Sequence, residues 1–143
     1  MNATIDNVTL ATATSSTTAP SPRWVRWTGR VITALPVLFL TLDGVAKIAM
    51  PAPVIEGTQN LGYSTSVIVP LGVLTLICLA LHLYRRTAVL GAVLLTGYLG
   101  GAVATHVRVG DPLFSHILFP VYLGVFIWLG LYLRDQRVRG LLS

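Results

Sequence analysis

The sequence predicts an all-α fold, an integral membrane bundle of four antiparallel transmembrane helices that follows a disordered N-terminal tail. Three observations lead to this prediction. Of the 143 residues, 54% are hydrophobic and only 10% are charged, whereas a soluble domain carries about 25% charged residues. The mean hydropathy is +0.75. The apolar residues form four stretches of about 20 residues, the length a helix needs to cross about 30 Å of hydrocarbon.

The tail is predicted to comprise residues 1–24. It is rich in Ser, Thr and Ala and contains no sustained apolar run. Such a segment buries too little apolar surface to offset the entropy lost on ordering. A secretory signal peptide is not predicted, because the chain does not open with a basic region followed by an apolar one.

The transmembrane domain is predicted to comprise residues 25–143. Its spans are expected at about residues 28–48, 65–84, 87–107 and 113–133. Residues 85–86 and 108–112 are links too short for anything but antiparallel neighbours. The longer connection over residues 49–64 contains two prolines and two glycines, and it is predicted to be an irregular or partly interfacial loop.

The basic residues give the orientation. Eight of the ten Lys and Arg residues lie at the end of the bundle that carries both termini: Arg23, Arg26, Arg30, Arg85, Arg86, Arg134, Arg137 and Arg139. Because basic residues are retained on the cytoplasmic side of short loops, both termini are predicted to be cytoplasmic. These charges flank apolar stretches, so the lipid bilayer with its anionic headgroups, and not nucleic acid, is the predicted partner.

Gly97 and Gly101 form a G-x-x-x-G step in the third span. Such a step permits close approach between helix backbones. Two interpretations stay open: packing inside one chain, which we prefer, and the contact of a homo-oligomer.

Ionisable residues inside a membrane are informative, because each is unfavourable by at least about 2.5 kcal/mol at mid-depth. Six ionisable residues are predicted to converge near the outer leaflet, with Arg108 and Asp111 just outside the membrane: Asp43, Lys47, His106, Arg108, Asp111 and His116. His82 lies near the inner side. With Thr75 and Cys78 it shares one face of the second span. Two interpretations stay open: a thiol and an imidazole that line an internal cavity or, preferably, Thr75 and Cys78 bonded to their own helix.

Asp43 and Lys47 are one helical turn apart and are expected to pair. The pair is either a charge-neutralising contact or part of a functional site. His106 alone would be an interfacial residue bonded to water, but His116 is expected to approach it, and Asp43 is placed to accept a hydrogen bond from either imidazole.

A carboxylate, an ammonium group, imidazoles and a guanidinium at one depth suit the polar head of a quinone or another lipid-like molecule, with the bundle holding its apolar tail. Asp43 and His106 are predicted to be catalytic acid–base residues. The predicted ligand-binding residues are Lys47, Tyr98, Arg108 and His116. No metal is predicted, because two histidines and one aspartate complete a ligand set only if all three reach one point.

Several motifs resemble the DoxX-like family of small bacterial membrane proteins. They are Asp43-Gly-Val-Ala-Lys47, Leu61-Gly-Tyr-Ser64, residues 86–92, residues 96–114 and residues 116–120. The resemblance covers about residues 28–139. It implies a four-helix bundle of the bacterial inner membrane, with Asp43, Lys47, His106 and Arg108 as signature residues. Relatives in the wider group include the membrane subunit of a thiosulfate:quinone oxidoreductase and components of oxidative-stress complexes.

The leading hypothesis is a quinone- or lipid-binding membrane component of a redox system, acting with a membrane or redox protein partner. The chain has one cysteine, Cys78, and no haem or flavin motif, so it is not expected to move electrons alone. Two alternatives stay open: an assembly scaffold for a partner protein, and an enzyme such as an isomerase or cyclase that transfers protons on a lipophilic substrate.

Overall fold

The computed structural model describes residues 23–142. Residues 1–22 of the predicted tail lie outside the described residues. The last two residues of the predicted tail, Arg23 and Trp24, are helical and begin the first helix.

The described chain is helical and contains no strand. Its α-helices are α1 (Arg23–Ala49), α2 (Ala52–Asn60), α3 (Ile68–Leu83), α4 (Ala88–Val109), α5 (Phe119–Arg134) and α6 (Gln136–Leu142). A 3₁₀ turn, Thr65–Val67, leads into α3, and a π-helical turn, Leu113–Ile117, leads into α5. Four helical segments are long and apolar enough to cross a membrane: Arg23–Ala49, Thr65–Leu83, Ala88–Val109 and Leu113–Arg134. The predicted all-α membrane fold is confirmed.

The four long helices form a closed antiparallel ring. Helix α1 packs against α3 and α5, and α4 packs against the same two helices from the opposite side. We call the end that carries α2 and residues 110–118 the linker end. The end that carries Arg23, the turn over residues 84–87 and α6 is the terminal end.

Apolar side chains lie both inside and outside this ring. The centre is filled by leucine and isoleucine side chains that are at most 5% exposed: Leu40, Leu79, Leu95, Leu99, Leu123, Ile127 and Leu131. The outward faces are also apolar, with Leu38, Leu42, Val93 and Phe114 among the exposed residues. An apolar outer surface is what contact with the lipid bilayer requires.

The connection between the first two spans differs from the prediction of an irregular loop, because most of it is the helix α2. Pro51 is the N-cap of α2, and Pro53 lies in its first turn. A proline is tolerated there, since the first N–H groups of a helix have no intrahelical acceptor and the fixed φ suits the helix. The two prolines therefore start a helix in this linker.

A short helix, α6, continues beyond the last span. Asp135 leaves the helical conformation at the end of α5. Its carboxylate accepts a hydrogen bond of 2.9 Å from the backbone N–H of Arg137, as an aspartate at a helix N-terminus does.

From the sequence we preferred packing of the G-x-x-x-G step against another helix of the same chain. The structure does not show this packing. A Cβ atom added to Gly97 or Gly101 would meet no atom within 4 Å. Close helix contacts occur at other glycines. A Cβ on Gly91 of α4 would collide with the backbone of His82 in α3. Close approach between helices therefore occurs at glycines outside the G-x-x-x-G step.

Candidate functional site

A cavity of about 250 Å³ lies at the linker end of the bundle. Helices α1, α3, α4 and α5 form its walls, and α2 with the segment that follows it forms the roof. We call it the linker-end cavity. Its walls are mainly apolar and include Leu40, Leu99 and Leu123. Polar side chains from α1, α4 and the roof are added to this apolar lining.

Asp43 and Lys47 supply the charged part of the cavity from α1. The Lys47 ammonium Nζ donates to the Asp43 carboxylate Oδ1, as their spacing predicted. The side chains remain 18% exposed for Lys47 and 29% exposed for Asp43. The pair is thus neutral as a whole, yet both groups keep hydrogen-bonding capacity toward the cavity.

His106 of α4 is the imidazole of the cavity, and Asp111 holds it in place. The distance from His106 Nδ1 to Asp111 Oδ2 is 2.6 Å. Helix α4 ends at Gly110, whose φ of +76° turns the chain back, and the Asp111 N–H bonds to the His106 carbonyl. Because an ionised carboxylate only accepts hydrogen bonds, Asp111 fixes the proton on Nδ1 and leaves Nε2 as the free nitrogen.

Hydroxyl groups line the opposite part of the cavity. The Tyr63 hydroxyl lies 2.8 Å from Thr105 Oγ1. Thr105, which is only 8% exposed, donates its own proton to the Gly101 carbonyl over 2.9 Å. Tyr63 is therefore the donor in the first bond. Tyr98 of α4 also lines the cavity, as the sequence analysis proposed for a ligand-binding residue.

Arg108 fastens the roof and does not line the cavity itself. Its guanidinium donates to the Leu61 carbonyl and lies 6.0 Å from the centre of the Tyr63 ring. Between these two residues, Gly62 has a φ of +79°, and a Cβ there would come within 3.1 Å of the guanidinium. Arg108 is thus placed to position the segment of residues 61–63.

His116 lies beside His106 but is exposed and outside the lining of the cavity. The two imidazole rings are 5.7 Å apart at an angle of 62°. His116 Nδ1 is 2.8 Å from the hydroxyl of Ser115. The approach of the two histidines is as expected, whereas the expected hydrogen bond from a histidine to Asp43 is absent among the described residues.

The structure therefore brings together Asp43, Lys47, Tyr98 and His106 of the six site residues proposed from the sequence. It adds Thr58, Tyr63 and Thr105, and two aromatic rings, Phe39 and Phe119, whose centres are 4.8 Å apart. The Leu61-Gly-Tyr-Ser64 turn was a sequence signal for this roof. Its glycine indicates a tight turn, and its tyrosine indicates that an aromatic ring extends from that turn. The sequence does not indicate the direction in which the ring extends.

A second, mainly apolar recess adjoins the cavity. This groove of about 610 Å³ runs between α4 and α5, past Gly100, Gly124 and Trp128. Leu99 and Pro120 line both the groove and the linker-end cavity. The two spaces are therefore neighbours along the same pair of helices.

No group of three or more His, Cys, Asp or Glu side chains is placed to hold a metal ion within residues 23–142. On the second span, Thr75 donates to the Leu71 carbonyl of its own helix over 2.8 Å, as preferred from the sequence. Cys78 is buried in the core and 2% exposed.

Comparison with known proteins identifies a family. The sequence model of the DoxX-like family matches residues 31–130, about 70% of the chain, and this range contains all six site residues proposed from the sequence. No curated protein matched the chain, and no solved structure did.

Proposed function

The chain belongs to the DoxX-like family of membrane proteins, and we propose that it binds a quinone or a similar amphipathic lipid in the linker-end cavity, as the membrane component of a redox system. One observation carries this proposal. Asp43 and Lys47 from α1 and His106 from α4 line a single cavity whose other walls are mainly apolar. Ligand sites have this character, with a few convergent polar groups in an apolar recess.

The polar groups match the head of a quinone. A quinone carbonyl oxygen is a hydrogen-bond acceptor, and the Lys47 ammonium keeps N–H donors beyond the one that it gives to Asp43. His106 Nε2, kept free by the bond between Nδ1 and Asp111, is suited to pass a proton to or from the bound head. Proton transfer of this kind accompanies the reduction of a quinone to a quinol.

The apolar groove suits the tail of the same molecule. It adjoins the cavity through Leu99 and Pro120, and it opens between α4 and α5 at membrane depth. An isoprenoid or acyl chain would exchange contact with bilayer lipid for contact with this groove, so van der Waals packing against the groove, and not removal from water, would hold it there. Head and tail would then occupy neighbouring spaces of the same bundle.

The redox partner is proposed to be another protein, since the described residues offer no metal cluster and one buried cysteine. The protein is proposed to lie in a bacterial inner membrane with both termini cytoplasmic. Arg23, Arg30, Arg85 and Arg134 at the terminal end support this orientation. Reporter fusions at the C-terminus that are active only in the cytoplasm test it, and activity of a periplasmic reporter there would contradict it.

The binding test measures the affinity of a short-chain ubiquinone or menaquinone analogue for the purified protein in nanodiscs. The variants are Asp43→Asn and His106→Ala, and the matched control is Glu56→Gln, an exposed carboxylate on α2. Asp43→Asn removes the carboxylate that orients the charged Lys47 donor, and His106→Ala removes the imidazole of the cavity. A hydrogen bond to a charged group is worth about 1.5–3 kcal/mol, so we expect affinity to fall by roughly tenfold or more in both variants.

The control should keep the affinity of the unmodified chain. Unchanged affinity in both cavity variants would contradict the proposal. If instead both variants lower the melting temperature and no quinone binds to any form, the cluster only orients the helices, and the assembly-scaffold hypothesis replaces this one.

A second function, proton transfer on a lipophilic substrate, is favoured by one specific feature. His106 and Asp111 form an oriented imidazole–carboxylate pair at the cavity, as in sites where a carboxylate holds a general base. In an isomerisation, His106 Nε2 would remove a proton from one carbon, and a proton would return at another, with no oxidant required. Turnover that follows a bell-shaped pH profile and is lost in Asp111→Ala would support this function over simple binding.

A further inference from the structure

We propose that a second site, at the terminal end of the bundle, binds the phosphodiester headgroup of an anionic lipid. The site is a cavity of about 270 Å³, called here the arginine pocket. It is lined by Arg30, Leu83, Arg85, Ala88, Leu131, Arg134 and Asp135. The proposal does not depend on the function of the linker-end cavity, which lies at the other end of the helices.

The fold builds the pocket from three separate elements. Arg30 lies in the first turns of α1, Arg85 in the turn between α3 and α4, and Arg134 at the end of α5. Ala88 and Leu131, which are 3% and 0% exposed, contribute its buried apolar part. Three guanidinium groups thus surround a recess that has an apolar base.

Arg134 is held rigidly at this recess. Its Nη2 donates to the His82 carbonyl over 3.0 Å and lies 3.1 Å from His82 Nε2. His82 is fully buried, and its Nδ1 is 3.2 Å from the Ala88 carbonyl, which can only accept. Nδ1 therefore carries the proton, and Nε2 accepts from Arg134.

Both partners of Arg134 are thus neutral, and its charge is not compensated by them. The ion pair of Asp43 with Lys47 and the contact of His106 with Asp111 both lie at the linker end. Asp135 is the one carboxylate in the pocket lining, and its Oδ1 accepts from the Arg137 backbone. Three cations against one carboxylate leave an excess positive charge in a partly buried space, which an anion would neutralise.

The position of the pocket indicates that a lipid supplies this anion. The pocket lies where the apolar surfaces of α3 and α5 end, beside the exposed side chain of Leu83. Trp24 and Trp27 are exposed at the same end of α1, as aromatic residues at a membrane interface are. Basic pockets between membrane helices at this depth bind phosphate headgroups, and arginine forms paired hydrogen bonds with phosphate oxygens.

The test compares two double variants that remove the same charge. Arg30→Gln with Arg85→Gln changes the pocket and leaves the buried contact between Arg134 and His82 intact. Arg23→Gln with Arg86→Gln is the matched control, because these arginines are also exposed and lie on the same elements but outside the pocket lining. The affinity for phosphatidylglycerol is measured by native mass spectrometry and by the rise in melting temperature in phosphatidylcholine nanodiscs.

We expect at least a tenfold loss of phosphatidylglycerol affinity in the pocket variant and less than a twofold change in the control. Equal losses in both would show attraction to general surface charge and overturn the proposal. Millimolar inorganic phosphate distinguishes the two sources of the anion. Retention of the lipid in its presence supports the lipid site, whereas displacement of the lipid by phosphate overturns it in favour of a free-anion site.

Discussion

Gly44 of α1 lies directly against Gly72 of α3. A Cβ atom on Gly72 would come within 2.8 Å of the Gly44 carbonyl oxygen and of the Lys47 Cβ, and a Cβ on Gly44 would come within 2.8 Å of the Leu76 side chain. A Cβ on Gly72 would collide with the backbone of α1, so this crossing requires glycine at position 72, whereas a Cβ on Gly44 would have to displace Leu76. The contact lies within one turn of Asp43 and Lys47 and sets how α1 presents them.

Gly72→Ala should therefore destabilise the bundle. Overpacking of a close contact costs about 1–3 kcal/mol, and here the added methyl meets backbone as well as the base of a side chain. We expect a lower melting temperature in detergent or nanodiscs and, because the Lys47 Cβ must move, weaker binding in the linker-end cavity. A variant with the stability and binding of the unmodified chain would show that the helices are not this close.

Gly97→Ala is the contrasting substitution. Nothing lies within 4 Å of a Cβ at this position, and alanine favours a helix over glycine by about 1 kcal/mol. We expect equal or higher thermal stability of the monomer. If Gly97 and Gly101 form a homo-oligomer contact, the alternative that the sequence left open, cross-linking in membranes should capture a dimer that Gly97→Leu abolishes. The absence of any dimer in the unmodified protein would end that hypothesis.

Tyr63→Phe should loosen the roof of the linker-end cavity. The substitution keeps the ring beneath Arg108 and removes the bond to Thr105 Oγ1. A bond of this kind contributes about 0.5–1.5 kcal/mol, so we expect a small loss of stability together with faster hydrogen exchange of the amides of residues 61–63. Arg108→Gln removes the second attachment and should increase exchange further, and unchanged exchange in both variants would contradict the assigned role of these contacts.

His82→Leu should destabilise the terminal end. The fully buried imidazole bonds both the Ala88 carbonyl and Arg134, and leucine can replace neither bond. Leaving buried polar groups unsatisfied costs about 1–3 kcal/mol each, so a marked drop in melting temperature is expected. His116→Leu is the control, because His116 is exposed, and its melting temperature should stay close to that of the unmodified chain.

Trp128 reports on the proposed ligand tail. Its indole Nε1 donates to Thr96 Oγ1 over 2.9 Å, and its ring lines the apolar groove. In a chain carrying Trp24→Phe and Trp27→Phe, Trp128 is the remaining tryptophan. A quinone analogue with a brominated apolar tail should quench its fluorescence in a saturable way, because bromine atoms quench a tryptophan that they contact. Saturable binding without any quenching would place the tail elsewhere.

Much of this architecture follows from composition and spacing. The free energy of transferring a helix into a bilayer depends on the length and polarity of its residues, so the four spans were predictable wherever about 20 apolar residues followed one another. Links as short as residues 85–86 leave only antiparallel neighbours. The limits of the spans and their antiparallel order fix the depth of each residue in the membrane. The convergence of Asp43, Lys47 and His106 at one end of the bundle was predictable for that reason.

Which face of each helix a residue occupies was decided by packing. Successive residues are about 100° apart around a helix, so His106 and Arg108, at nearly the same depth, lie on opposite sides of α4. One lines the cavity and the other fastens its roof. The rotation of α4 about its axis depends on close contacts such as that between Gly91 and His82. The hydropathy of the sequence does not indicate such contacts.

The same reason explains why Tyr63 and the arginine pocket were not predicted. Tyr63 reaches Thr105 across 42 positions of the chain, and Arg30, Arg85 and Arg134 come from three different elements. Hydropathy is local and assigns each of these residues a depth in the membrane. Only the closed ring of helices, through steric fit at the glycine crossings, determines which of the residues at one depth face each other.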